Sequence, residues 1–75
     1  MKIWVGDLYS DNELITQKYA ATSAIARREL SGYLRETWET GYEVGPAPDD
    51  DEKVIANFEE KGWELSILDY EMTET

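Results

Sequence analysis

Carboxylates are the only side chains here numerous enough to organise chemistry. The chain has 17 Asp and Glu against 7 Lys and Arg, with no His and no Cys. Lack of His removes the commonest general base and the commonest metal ligand. Lack of Cys rules out disulfides and thiolate metal sites. A nucleophile would have to be Ser, Thr or Tyr, activated by Lys or a carboxylate. Ser10 falls in a turn, Ser23 at a helix start, Ser31 on the polar side of a helix and Ser66 in a strand, each with an ordinary structural role. Paired carboxylates can cleave glycosides, but a chain of 75 residues is too short to wrap a cleft around a sugar. The residues therefore read as a non-enzymatic protein with no catalytic residue and no cofactor.

Asp49-Asp50-Asp51-Glu52 is the densest acidic run. A calcium-binding EF-hand loop needs acids at alternate positions, a Gly at the sixth and a Glu at the twelfth, and that spacing is absent. Carboxylates in a first helical turn complement the positive end of the helix dipole, so the run reads as a helix start and not as a metal site. Asp7, Asp11 and Glu13 read as a polar turn. Gly41 and Gly45 are not spaced as a phosphate loop, and an acidic setting would reject phosphate.

The charge is unevenly spread. Residues 1–35 carry four acids and five bases, residues 36–75 thirteen acids and two bases, and the whole chain has a net charge of −10. Solubility alone accounts for a smaller excess; a field of this size steers the molecule toward positive partners and repels nucleic acid and anionic lipid. Glu36, Glu39 and Glu43 recur at spacings of three and four near a helix end, where acids oppose the dipole. Local rules broken without structural gain tend to mark function. The candidate partner-binding residues are accordingly Glu36, Glu39, Tyr42, Glu43, Asp49, Asp50, Asp51, Glu52, Glu59 and Glu60. Such an array would occupy a Lys/Arg-lined groove that normally holds nucleic acid. The rival reading gives the charge to solubility and the docking to a sheet face or edge, through Trp4, Tyr9, Tyr70 and Met72.

The elements that must position these residues follow from pattern. Strand formers fill residues 2–9, a turn cluster follows at 10–12, and residues 14–20 resume, which reads as a β-hairpin. Thr22 or Ser23 caps a helix over 24–38, with an apolar stripe of Ile25, Ala26, Leu30, Tyr33, Leu34 and Trp38. Gly32 inside it suggests a strand passing close above, and Thr40-Gly41 ends it. Residues 42–44 form a brief strand or ordered loop, and Gly45-Pro46-Ala47-Pro48 is a break. Asp49 with Glu52 fits a capping box opening a second, shorter helix, with Val54, Ile55 and Phe58 inward and Gly62 closing it. The last strand covers 63–72. Its alternation shifts from Trp63, Leu65 and Ile67 to Leu68, Tyr70 and Met72, which implies a β-bulge near Ile67-Leu68 or a second apolar surface. The expected fold is one α+β domain over 1–75, ordered β-β-α-α-β, with a three-stranded antiparallel sheet, the last strand beside the first and one sheet face open. Ile3, Val5, Ile15, Leu65 and Ile67 are expected to join the helix stripe in one core. Crowded carboxylates are expected to repel one another, raising their pKa values and making the fold more stable on mild acidification.

A very acidic, Cys-free domain of this size, with the run Asp49-Asp50-Asp51-Glu52, resembles the small anti-defence proteins of bacteriophages, the anti-restriction and anti-CRISPR inhibitors, some of which imitate the charge of DNA. The hairpin, the entry Tyr19-Ala20-Ala21-Thr22 into a helix, Trp38 at its end and the final strand also look like the small phage inhibitor of bacterial RNA polymerase. The resemblance implies a stoichiometric protein inhibitor in the cytoplasm of an infected or host bacterium, aimed at a basic nucleic-acid-handling complex and not at nucleic acid itself. The N-terminus does not read as a signal peptide, and no run approaches the length of a membrane span. An open sheet face on so small a domain is a reason to dimerise.

Overall fold

Two left-handed residues close the first hairpin. In the computed structural model, which describes residues 2–71, β1 (Lys2–Ser10) and β2 (Glu13–Ala20) are joined by Asp11 and Asn12 at φ 53° and 64°. Asp and Asn enter this region more readily than other residues with a Cβ, and a two-residue turn with both φ positive matches the twist of antiparallel strands. Helix α1 (Ser23–Thr37) follows, capped by Thr22, whose Oγ1 accepts from the Ile25 N–H at 3.1 Å. The chain then widens into a π-helical turn, Trp38–Tyr42, which Gly41 breaks at φ 110°. Helix α2 (Asp51–Glu60) is capped by Asp50, one residue later than expected, with its Oδ1 accepting from the Glu52 N–H at 2.9 Å. β3 (Glu64–Glu71) completes an antiparallel sheet ordered β2-β1-β3. The fold is the expected α+β arrangement, with the last strand beside the first.

Register assigns the two sheet faces. Gly6 lies under α1, since a Cβ there would come within 3.0 Å of Leu30 and 3.5 Å of Ala26. Trp4 and Leu8 share its face by the alternation of a strand, as do Ile67 and Leu65 on β3, the partners of Gly6 and Leu8. Leu8, Leu30, Leu34, Val54, Ile55 and Phe58 are fully buried between this face and the helices, with Ile15, Tyr33, Trp38, Trp63, Leu65 and Ile67 packed around them. The opposite face has no helix over it. It carries Ile3, Val5, Asp7 and Tyr9 of β1, Tyr19, Gln17 and Leu14 of β2, and Tyr70, Leu68, Ser66 and Glu64 of β3.

Several expectations change. Ile3 and Val5 belong to the open face and not to the helix-covered core, because Gly6 and Leu8 take the core-facing register. The pairing of β3 with β1 runs without interruption from Lys2↔Glu71 to Tyr9↔Glu64, so the change of phase is a second apolar surface and not a bulge. The bulge sits in β2 instead: Leu8 pairs with Thr16 and Tyr9 with Leu14, leaving Ile15 as the extra residue, turned toward the core. The close approach of strand and helix is at Gly6, while Gly32 is exposed with open space around it. Ser31, expected on the polar side, is fully buried.

Candidate partner-binding surface

The acidic run is consumed by the fold more than expected. Asp50 caps α2. Asp51 Oδ1 receives the Arg35 guanidinium at 2.7 Å, and Glu52 receives Arg27 through Nε at 2.8 Å and Nη2 at 2.9 Å. Arg35 also donates to the Pro48 and Asp49 carbonyls, fixing the segment before α2. These contacts tie α2 to α1 at the end where the chain arrives from the Pro-containing loop. Among 49–52, only Asp49 remains as an exposed carboxylate with neither an ion pair nor a capping bond.

Glu43 is likewise engaged. It pairs with Lys61 and accepts from Asn57 Nδ2 at 3.3 Å, joining the loop to the end of α2. Tyr42 stacks on Phe58 with ring centroids 5.2 Å apart, meets Trp63 edge-on at 5.8 Å, and accepts from Trp63 Nε1 at 3.3 Å. Its outer edge is exposed, yet its inner face completes an aromatic group with Trp38, whose Nε1 donates to the Gly45 carbonyl at 3.0 Å. The π-helical turn sets both Trp38 and Tyr42 against Phe58. Tyr42 is thus a packing residue with a wet edge, and Val44, 99% exposed beside it, is the fully projecting apolar side chain of this loop.

Four carboxyls titrate below their ordinary values, each chiefly through a hydrogen bond from a cation: Glu43 from Lys61, Asp51 from Arg35, Glu52 from Arg27 and Asp69 from Lys2. Asp51 is also lowered by the nearby Ser31 hydroxyl, although Ser31 Oγ makes no hydrogen bond of normal geometry. The expected upward drift of crowded acids is not what these residues show, because the closest acids sit beside bases, most of them supplied by the first half of the chain.

Glu36, Glu39, Asp49, Glu59 and Glu60 remain exposed and outside any ion pair among the described residues. Glu36 and Glu39 belong to the end of α1 and the π-helical turn, where Glu36 lines a shallow depression with Tyr33, Thr37 and Thr40. Glu59 and Glu60 end α2. All five lie in the helical layer. Among the described residues Lys2, Arg27, Arg35 and Lys61 are held in ion pairs, while Lys18, Arg28 and Lys53 are in none, and the Arg28 charge adds to the lowering of the Asp51 pKa. Among the described residues no three Asp or Glu side chains are arranged to hold a metal ion, and no helix is long and apolar enough to cross a membrane.

No protein family, curated protein or solved structure matches this chain.

The second surface is the open sheet face. Tyr19 is 60% exposed, and Leu68 and Tyr70 each 54%. Val5, between Tyr19 and Leu68 in the register, is nearly covered by its neighbours. A line of hydrogen bonds crosses the face: the Tyr19 hydroxyl donates to Gln17 Oε1 at 2.5 Å, and Gln17 Nε2 to Asp7 Oδ1 at 2.7 Å, with the Tyr9 hydroxyl near the other Asp7 oxygen at 3.5 Å. The Asp7 charge raises the Tyr9 pKa. Of the residues expected to serve here, Tyr9 and Tyr70 are on the face, Trp4 faces the helices, and Met72 lies outside the described residues. Tyr19 escapes the sequence reading, and Leu68 enters it as part of a second apolar surface but not among the docking residues. Their signal lies in the alternation, Gln17-x-Tyr19 on one strand and Leu68-x-Tyr70 on the other, once the pairing with β1 is known.

Proposed function

We propose that this protein is a non-enzymatic inhibitor of phage or mobile-element type, which binds the basic nucleic-acid-binding surface of a bacterial defence or nucleic-acid-processing complex. The observation that carries the reading is the charge of the helical layer. Three of its five bases, Arg27, Arg35 and Lys61, are held in ion pairs, while Glu36, Glu39, Asp49, Glu59 and Glu60 stay exposed on a molecule with a net charge of −10. A protein groove built for DNA presents cations to a phosphate array of one charge per roughly 1.7 Å of duplex axis. Fixed carboxylates on two packed helices satisfy such cations without the cost of ordering a flexible chain, and steer association at low salt. The active set differs from the one expected from sequence: Asp50, Asp51, Glu52 and Glu43 hold the fold, and the five unpaired acids do the binding.

The test uses charge-neutral variants at positions free of ion pairs. The protein with Glu36, Glu39, Glu59 and Glu60 all changed to Gln should keep its circular dichroism spectrum. It should lose capture of nucleic-acid-binding proteins from a bacterial lysate, and wild-type capture should be displaced by added duplex DNA and weaken steeply as salt rises. Capture that survives both the four substitutions and excess DNA would sink the proposal.

A further inference from the structure

We propose that the open sheet face is where two copies of this chain meet, as a face-to-face dimer with two-fold symmetry. The inference is independent of the inhibitor reading, since it uses the opposite side of the molecule.

At one end of the sheet the paired strands β1 and β3 are apolar on both sides. β1 begins Ile3-Trp4-Val5 after Lys2, with Trp4 toward the helices and Ile3 and Val5 away from them. β3 carries Leu65 and Ile67 toward the helices and Leu68 and Tyr70 away. A sheet with one solvated face alternates apolar with polar, whereas a strand apolar on both sides belongs to a sheet covered on both. Here the helices cover one face only.

Charge chooses the occupant. By register, the face holds two carboxylates, Asp7 near its middle and Glu64 at one end, and Asp7 is already bonded to Gln17. It holds no cation among the described residues, because Lys2 and Lys18 take the opposite parity. A partner with a basic patch finds little here to neutralise it. Two copies of a molecule with a net charge of −10 repel, and the approach that brings the fewest like charges together is through these two faces. A two-fold contact also requires a patch that complements itself, and an apolar surface of Ile3, Val5, Tyr19, Leu68 and Tyr70 meets that requirement. Three strands of eight or nine residues make a face about 27 Å by 14 Å at ordinary strand spacing. Doubled for two copies, that flat footprint is about 760 Å² before side-chain relief, the scale of a weak, transient association. Two such sheets stack about 10 Å apart with strands near −30°.

Sedimentation of the full chain from about 1 µM to about 1 mM, the span of modest affinities, is the test. The dimer should tighten as salt rises, because screening relieves the repulsion between copies. Leu68→Glu and Tyr19→Glu should each weaken it at least tenfold with far-ultraviolet circular dichroism unchanged, and Glu59→Gln on the helical layer should not weaken it. Should a variant misfold, the concentration-dependent side-chain shifts of the wild type in NMR spectra must fall on Ile3, Val5, Tyr19, Leu68 and Tyr70. A monomer at the highest concentration in high salt overturns the proposal and reserves the face for a different protein. A dimer indifferent to both Glu substitutions, or shifts mapping to a strand edge, overturns it also. Capture retained by the helical-layer variant with the dimer intact overturns the inhibitor reading alone, and capture lost by it in a protein that stays monomeric overturns the dimer alone.

Discussion

Gly6→Ala places a methyl group where β1 passes close under α1. Its Cβ would stand 3.0 Å from Leu30 Cδ1, 3.3 Å from Leu30 Cγ and 3.5 Å from Ala26 Cβ. Leu30 is fully buried in the core cluster, so it has no open space into which to swing. Two effects oppose each other. Replacing Gly in a regular element gains about 0.5–1 kcal/mol from the unfolded chain, while overpacking a filled core costs about 1–3 kcal/mol. The clash should win by about 1 kcal/mol, lowering the melting temperature by roughly 4–8 °C for a domain of this size. Leu30→Val removes the outer atoms and should alone cost about 1 kcal/mol. In the double variant the methyl introduced at position 6 fills the vacated space, so adding Gly6→Ala to Leu30→Val should be neutral or slightly stabilising. Urea unfolding followed by Trp fluorescence on all four proteins, at one fixed concentration because association shifts apparent stability, yields the coupling energy. Equal cost of Gly6→Ala in both backgrounds, or stabilisation in both, would refute the packing account.

Leu30→Ala opens a cavity at the centre of the helix-covered core and should cost about 2–5 kcal/mol, which for so small a core leaves the chain largely unfolded; a wild-type melting curve would show the helix phase to be wrong. Stability should also fall on acidification. Glu43, Asp51, Glu52 and Asp69 have folded pKa values below their unfolded ones, so their contribution is present above the unfolded values and is lost as pH drops through the lower folded ones, below about pH 4.5. On the alkaline side, the Lys61 pKa is raised by its hydrogen bond to Glu43, so its contribution is complete below the unfolded value and is lost as pH climbs through the higher folded one. Thermal melts from pH 7 to pH 3 at low salt check the acid limb, and greater stability at pH 3 than at pH 7 would contradict it.

Local rules made most of the fold readable. The Asp11-Asn12 turn, the Thr22 cap and the inward Val54, Ile55 and Phe58 each depend on a few neighbouring residues. What failed depended on pairing. Ile3 and Val5 look like core by composition, and only the register against Gly6 and Leu30 turns them outward. Gly32 and Gly6 are equally plausible close-approach sites in a sequence, since the decision rests on which residue the strand crossing places under Leu30. Ile15 reaches the core as expected, but through an unexpected bulge in β2, and a bulge has no simple residue signature in a strand this polar. The site suffered from the same limit. Charge counted along the chain separates residues 1–35 from 36–75, but Arg27 and Arg35 fold back onto Glu52 and Asp51, 25 and 16 positions later.

The asymmetry of the chain therefore becomes an asymmetry of layers. Bases from the first half cancel the acids nearest to them, and much of the excess that remains lies on the helices, while the opposite face of the sheet carries two carboxylates, Asp7 and Glu64, around an apolar patch. This changes what charge reversal at 49–52 would report. Lys at 51 and 52 would stand against Arg35 and Arg27 at the distances that now hold ion pairs, and loss of Asp50 would remove a helix cap worth about 0.5–2 kcal/mol. Such a protein would lose binding by loosening α2, whatever the role of its surface. Tyr42→Ala has the same flaw, since the ring is stacked on Phe58 and bonded to Trp63. Substitutions at Glu36, Glu39, Glu59 and Glu60 on one side, and at Tyr19 and Leu68 on the other, touch neither the ion pairs nor the buried aromatic group. Salt then separates the two surfaces by sign: binding of the helical layer to a basic groove must weaken as salt rises, and association through the sheet face must strengthen.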